Sequence, residues 1–146
     1  MTVETDRTQA LIGFVKANRK VLQNLSADIT NTFASIVLAA MDSKPLSRSD
    51  KMLLTAGSRV ANTGQQWNAT RMALSNQGGS PSLIEPVAGT VTLRNLQGAT
   101  AVTATALDGA GRAIGEAIPG KKTAGGWVLP IGEPVTTWYV VAVRRR

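Results

Sequence analysis

The sequence predicts an all-β protein, folded as one antiparallel β-sandwich of two sheets, of the jelly-roll or immunoglobulin-like kind. Short segments rich in Val, Ile, Thr and Leu alternate with Gly, Pro, Asn and Asp along the chain, which is typical of sandwiches and barrels. A length of 146 residues suits a single domain, residues 1–146. The predicted strands are too many for one open sheet, so we expect two packed sheets. They span residues 9–15, 20–24, 33–41, 52–61, 66–73, 83–87, 89–95, 100–107, 113–118, 126–131 and 137–143.

In the first half of the chain, the clearest strand signal is the segment 35–41, Ser-Ile-Val-Leu-Ala-Ala-Met. Because it is apolar on both parities, it indicates a strand that is buried on both faces, in the middle of the core. A helix is the alternative, but the run is short and its β-branched residues favour a strand. Polar loops are predicted at residues 42–50 and 76–82, and the second is expected to be flexible.

In the second half, strict alternation of apolar and polar residues predicts half-buried strands. Val91 and Leu93 are expected to face inward, with threonines between them facing water. Residues 102–106 alternate in the same way, and Asp-Gly-Ala-Gly at 108–111 supplies turn residues. We therefore expect a hairpin over residues 100–118.

The composition argues against catalysis. The chain has no histidine and no cysteine, which are the usual suppliers of groups that titrate near neutral pH, of nucleophiles and of metal ligands. Most of the nine carboxylates fall in turns, at strand ends or beside prolines, so no glycosidase-like pair is indicated. We expect no catalytic residues, no metal and no cofactor.

Charge is moderately basic. Sixteen Lys and Arg against nine Asp and Glu give a net charge of +7, and three of the arginines form a predicted basic tail, Arg144 to Arg146. The other basic residues are scattered and aromatic residues make up only 4% of the chain, so we expect no nucleic-acid binding. A nucleic-acid binder that uses the terminal arginines is the alternative. No apolar run approaches the ~20 residues that span a bilayer, so no membrane partner is expected.

The tryptophans are the best candidates for a binding site. Trp67 stands among hydrogen-bonding residues, with Gln65, Asn68 and Arg71 close by in the sequence. An exposed indole can stack on the C–H face of a sugar ring while polar neighbours bind the hydroxyls. The alternative is that Trp67 caps the edge of the sandwich.

The other two tryptophans are secondary candidates. Trp127 shares parity with Leu129 and Ile131, which favours the core. Trp138 and Tyr139 must point to opposite faces of the last strand. Either Trp127 or Trp138 is a candidate for extending a sugar-binding platform that begins at Trp67.

Several motifs resemble the β-sandwich module found at the C-terminal end of large bacterial glycoside hydrolases, and they follow one another in the same order. Residues 7–10 resemble its first strand, and residues 83–93 and the Asp-Gly-x-Gly-Arg hairpin of 100–114 resemble its later parts. Between them lie an apolar strand at 33–41, Asp-x-x-Pro-Leu at 42–46, Leu-Leu-Thr-Ala at 53–56 and Asn-Thr-Gly at 62–64.

This resemblance implies a non-catalytic, carbohydrate-binding accessory module of a polysaccharide-degrading enzyme, secreted as part of that larger enzyme. The implied partners are a polysaccharide and the catalytic domain of the parent enzyme. The basic charge favours acidic polysaccharides, whose binding should weaken with salt. The alternative is a purely structural module that packs against a catalytic domain or mediates oligomerisation. Residues 1–6 carry acid where a signal peptide carries base, which leaves a cytoplasmic protein or a piece of a longer secreted chain as alternatives.

Overall fold

The computed structural model describes residues 1–17 and 19–146, and this part of the chain consists of strands, turns and loops without a helix. It confirms the predicted all-β fold. The strands are β1 (Thr2–Glu4), β2 (Thr8–Gly13), β3 (Leu25–Ile29), β4 (Ala34–Ala40), β5 (Lys51–Gly57), β6 (Val60–Thr63), β7 (Gln66–Trp67), β8 (Leu74–Asn76), β9 (Gly79–Ile84), β10 (Gly89–Leu93), β11 (Ala99–Leu107), β12 (Ile118–Pro119), β13 (Lys121–Thr123), β14 (Gly126–Ile131) and β15 (Trp138–Arg145).

Two antiparallel sheets form the body of the protein. The larger has the strand order β1-β2-β4-β5-β15-β11-β12, and the smaller has the order β13-β14-β10-β3. The inward-facing apolar residues of both sheets belong to one buried cluster, as expected for a sandwich whose two inner faces interdigitate. The fully buried members with the largest side chains include Leu25, Ile36, Leu54, Leu129 and Tyr139.

Periodicity accounts for the inward faces. Val91 and Leu93 of β10 are buried, as are Val102, Ala104 and Ala106 of β11, which confirms the faces that alternation predicts. The hairpin over 100–118 is only partly formed. Its turn closes with the Asp108 N–H donating to the Arg112 carbonyl oxygen at 2.8 Å, but the returning chain has one isolated bridge before β12.

Burial of β4 on both faces, which its composition predicts, is wrong for this chain. Ile36 and Leu38 are completely buried, whereas the alternate residues Val37 and Ala39 are only partly buried. The reason is topological, because the second sheet covers only one face of the larger sheet.

A long β-ribbon leaves the body between β5 and β10. We call residues 59–85 the arm. Its strands pair as β6 with β9 and β7 with β8, in two small sheets that are separate from the body. No residue of the arm is buried. Two sequence predictions fail here: the strand over 52–61 ends at Gly57 and restarts at Val60, and residues 76–82, predicted as a flexible loop, lie largely in β8 and β9.

Other boundaries also differ from the predictions. The strand predicted at 20–24 lies instead at Leu25–Ile29, and the strand predicted at 66–73 stops at Trp67 and gives way to a turn. Of the strand predicted at 83–87, only the first two residues are paired. Residues 66–73 are exposed throughout, so alternation of burial carries no information there.

The predicted basic tail is also wrong in part, because β15 continues to Arg145. The Arg145 side chain turns inward and is mostly buried. Its guanidinium donates to Asp50 Oδ1 at 3.0 Å and to the carbonyl oxygens of Ser49, at 2.7 Å, and Gln97. Arg145 therefore ties the last strand to two loops and is not a free cation.

Candidate ligand-binding site on the arm

The base of the arm is held to the body by polar contacts. The Ser58 hydroxyl bonds the Phe33 carbonyl oxygen at 2.8 Å and Glu85 Oε2 at 2.7 Å. Arg59 lies 3.6 Å from the same carboxylate. The hydrogen bond from Ser58, together with Arg59, lowers the pKa of Glu85. On the returning side, the Asn31 carboxamide donates to the Pro86 carbonyl oxygen at 2.9 Å.

Trp67 lies beyond this base, in β7, where it pairs with Leu74 of β8. It is 47% exposed, more than either of the other tryptophans, which confirms the prediction that Trp67 is the most accessible indole. Trp67, Arg59 and Arg71 line a shallow open cavity of about 250 Å³. The fold thus brings one tryptophan and two arginines to the same exposed cavity.

Arg71 owes its place to a turn. It has a left-handed backbone, with φ of 56°, and its N–H donates to the Asn68 carbonyl oxygen at 2.9 Å. In the described part of the chain, no carboxylate forms an ion pair with Arg71. Its charge is therefore available to a ligand.

Gln65 and Asn68, the predicted hydrogen-bond partners of a bound sugar, do not line this cavity. The Gln65 carboxamide oxygen accepts from the Asn62 N–H at 3.1 Å. Asn68 Oδ1 accepts from the Thr70 hydroxyl at 3.1 Å and the Met72 N–H at 3.0 Å. Both oxygens are used to shape the turns around Trp67, because short amide side chains readily bond nearby backbone groups.

Arg59 is the site residue that sequence reasoning missed. The prediction of one continuous strand over 52–61 placed Arg59 in a strand of the sandwich body. Only the break at Ser58 and Arg59 starts a separate ribbon and brings Arg59 to the same cavity as Trp67.

Trp127 does not extend this site. It is 9% exposed and belongs to the core cluster, which confirms its predicted burial. It pairs with Leu93 at the end of β10, whereas the arm joins the start of β10 near Gly89. Four residues of strand separate these points by about 14 Å. The Lys122 ammonium lies over the Trp127 ring, 5.7 Å from its centroid.

Trp138 is 40% exposed and Tyr139 is completely buried, which confirms that they lie on opposite faces of β15. The Tyr139 hydroxyl accepts from the Gly132 N–H at 2.9 Å, and burial raises its pKa. Trp138 lies on the outer face of the larger sheet, paired with Thr55 and Leu107. It is thus on a different surface element from the Trp67 cavity.

A second open cavity, of about 640 Å³, lies where β15 meets the loop between β4 and β5. It is lined by Lys44, Pro45, Arg48 and Arg145, among others. Lys44 and Arg145 both bind Asp50, and the hydrogen bond from Lys44 is the largest cause of the lowered pKa of Asp50. A single carboxylate, Asp50, therefore pairs with two of the three cations that line this cavity.

Acid should destabilise the loop between β4 and β5. Burial alone would raise the pKa of Asp42, but the N–H groups of Asp50, at 2.9 Å, and Lys44, at 3.1 Å, outweigh it and lower the pKa. Both carboxyls, Asp42 and Asp50, then have folded pKa values below their ordinary value of 3.8. Their contribution to stability is complete above that value and is lost as the pH falls through the folded values.

We therefore expect the melting temperature to fall below about pH 4. Thermal melts by circular dichroism between about pH 7 and pH 2 test this expectation. The Asp50→Asn variant should show a shallower decline than the natural chain. An identical decline in both proteins would contradict the assignment to this loop.

Among residues 1–17 and 19–146, no group of three or more His, Cys, Asp or Glu side chains could hold a metal ion. The same part of the chain contains no helix that is long and apolar enough to cross a membrane. Comparisons with models of protein families, with curated proteins and with solved structures find no match to this chain.

Proposed function

We propose that the chain is a non-catalytic carbohydrate-binding module that binds glycan on the arm, by stacking a sugar ring on Trp67. The observation that carries this proposal is the half-exposed indole, which shares an open cavity with Arg59 and Arg71. An indole face removes water from the C–H face of a pyranose. The resemblance to accessory modules of glycoside hydrolases supports the same function, in a secreted enzyme.

The two arginines favour an acidic glycan. A planar guanidinium binds a carboxylate through two parallel hydrogen bonds, which gives both energy and orientation. Arg71 has no ion-pair partner within the described residues. Arg59 forms an ion pair with Glu85, in which both side chains are partly exposed. A uronate ring stacked on Trp67 would present its carboxylate within reach of such groups. Part of the binding energy is then electrostatic and screened by salt.

Removing the indole should abolish most of the binding. Each stacked ring contributes about 1–3 kcal/mol by analogy with base stacking, so Trp67→Ala should weaken affinity by about 5- to 150-fold. Affinity electrophoresis in gels that contain a polyuronate or a neutral β-glucan measures this loss. Met72→Ala is the matched control, since Met72 is 85% exposed on the same arm but does not line the cavity.

The arginine variants test the ligand class separately. Arg59→Gln and Arg71→Gln should reduce retardation by the polyuronate more than retardation by a neutral polymer, and the difference should shrink at high salt. Retardation that survives Trp67→Ala would overturn the site. Absence of retardation on every polymer would overturn glycan binding.

A specific observation favours a second candidate, in which the arm is a structural element that packs on the catalytic domain of a parent enzyme. The arm exposes several large apolar side chains, and its segment from 60 to 84 has a single charged residue, Arg71. Exposed apolar surface of this kind usually marks a protein contact. The exposed members are Val60, Trp67, Met72, Leu74, Leu83 and Ile84.

A further inference from the structure

The two sheets of the sandwich differ in the chemistry of their outer faces. In the smaller sheet, Ser26 and Asp28 of β3 pair with Thr92 and Thr90 of β10 on the outside, so this face is polar except along β14, which contributes valine and proline. In the larger sheet, the outward residues of the central strands are mostly apolar, with threonines of β5 and β11 among them. Val37 of β4 lies between Ala10 and Thr55, and Leu53 of β5 lies between Ala39 and Val140 of β15.

An antiparallel sheet with one solvated face normally alternates apolar inward and polar outward residues. The larger sheet departs from this rule at its centre, and this departure is why the sequence predicts burial of β4 on both faces. Val37, Leu53 and Val140 are nonetheless partly exposed in the isolated chain. The pattern is that of strands whose second face is covered by something outside the chain.

We propose that a second copy of this chain covers the outer face of the larger sheet, forming a symmetric dimer of two face-to-face sheets. The usable area is sufficient. The face spans five strands, β2, β4, β5, β15 and β11. At a strand spacing of about 4.8 Å and a length of about six residues of 3.4 Å each, it covers roughly 490 Å² per copy. Two copies then bury about 1,000 Å², which is the lower limit for a specific interface.

The charges on this face are compatible with a two-fold axis. On these five strands, the only charged outward residues are Lys51 and Arg144, which lie toward one end of the sheet, while Trp138 lies at the other end. An axis that lies between the two faces and crosses the strands near Leu53 and Val140 reverses the strand direction. It keeps the cationic end of one copy away from the cationic end of the other, so like charges do not oppose each other.

The same axis makes the sizes and charges complementary. It places Trp138 of each copy against the Ala142 and Arg144 end of β15 in the other copy. A large indole then meets a small side chain, and a guanidinium can lie over the indole face. An axis along the strands would instead bring the two Arg144 residues together, which is unfavourable. The net charge of +7 per copy opposes association at low salt.

Analytical ultracentrifugation of the full chain up to about 1 mM tests the proposal. We expect a reversible dimer of the 15.3 kDa chain, which becomes tighter as salt screens the repulsion between copies. Val140→Lys should weaken the dimer by at least tenfold. Val135→Lys is the control, since Val135 is 67% exposed in the loop before β15 and should leave association unchanged.

A crosslinking experiment covers the case in which Val140→Lys fails to fold. The chain has no cysteine, so Val140→Cys introduces a single thiol close to the proposed axis, where mild oxidation should yield a disulfide-linked dimer. Thr90→Cys, on the outer face of the smaller sheet, should give little disulfide-linked dimer. The proposal is overturned if the chain stays monomeric at every concentration. It is also overturned if the two cysteine variants crosslink equally, or if the Val140→Lys variant folds and still forms the dimer.

Discussion

Replacement of Gly89 by alanine is expected to lower the free energy of unfolding by on the order of 3 kcal/mol or more. Gly89 is the first residue of β10 and pairs on one side with Ile29 and on the other with Ile131. Its φ is +141°, a conformation that side chains rarely adopt, and a Cβ there would lie 2.3 Å from the Asp28 carbonyl oxygen and 2.7 Å from the Ile29 Cα. Backbone atoms would have to move, so the pairing of β3 with β10 would be disrupted.

Urea unfolding followed by tryptophan fluorescence measures this effect. Gly109→Ala is the matched control, because a Cβ at Gly109 meets nothing within 4 Å and its φ is not left-handed. The control should change stability by no more than about 0.5 kcal/mol. If the two variants lose similar stability, the close approach of β3 and β10 at Gly89 is not what makes glycine necessary.

Replacement of Asn24 by leucine is expected to cost about 2–4 kcal/mol. Asn24 and Gln9 are both buried, and they form a polar connection across the core. The Asn24 N–H donates to Gln9 Oε1 at 2.8 Å, Gln9 Nε2 donates to Asn24 Oδ1 at 3.3 Å, and Asn24 Nδ2 donates to the Arg94 carbonyl oxygen at 2.9 Å. The backbone N–H of residue 24 still donates to Gln9 Oε1 in this variant, but leucine leaves the buried Gln9 Nε2 and the partly buried Arg94 carbonyl oxygen without these partners, which is more costly than losing the bonds themselves.

A double-mutant cycle separates this effect from a change in packing. Gln9→Met combined with Asn24→Leu removes both side-chain partners, so it should cost clearly less than the sum of the two single variants. Strict additivity, measured by urea unfolding, would show that the two amides stabilise the sandwich independently. In the described part of the chain, no buried side-chain nitrogen or oxygen lacks a hydrogen-bond partner. The measured loss of stability therefore reports partners removed by the substitutions and not polar groups that were already unsatisfied.

The strands of the body could be predicted because each has one face in the core. Val91 and Leu93 of β10 and residues 102–106 of β11 alternate in the sequence and alternate in burial. The arm could not be predicted in this way. Both faces of a lone ribbon meet water, so its residues show no period, and glycine, serine and proline near residue 80 resemble a loop although Pro81 lies within β9, at the edge position where proline is tolerated.

The candidate site shows the same division. The exposure of Trp67 followed from its polar neighbours, but those neighbours, Gln65 and Asn68, are used by the turns. Arg59, twelve residues before Arg71, reaches the cavity only because the ribbon folds back on itself. Proximity across a ribbon depends on register, and register in an exposed ribbon is set by turns and bulges such as the irregularities within β6–β9 and β7–β8.

The sequence by itself determined the all-β class, the inward faces of the main strands and the core position of Trp127, because these depend on local alternation between apolar and polar residues. Only the tertiary structure decided which apolar faces are covered. Val37, Leu53 and Val140 are as apolar as core residues, yet they lie outside the sandwich because the smaller sheet packs on the other side. Periodicity records which side chains avoid water, whereas the packing of the sheets determines what covers them.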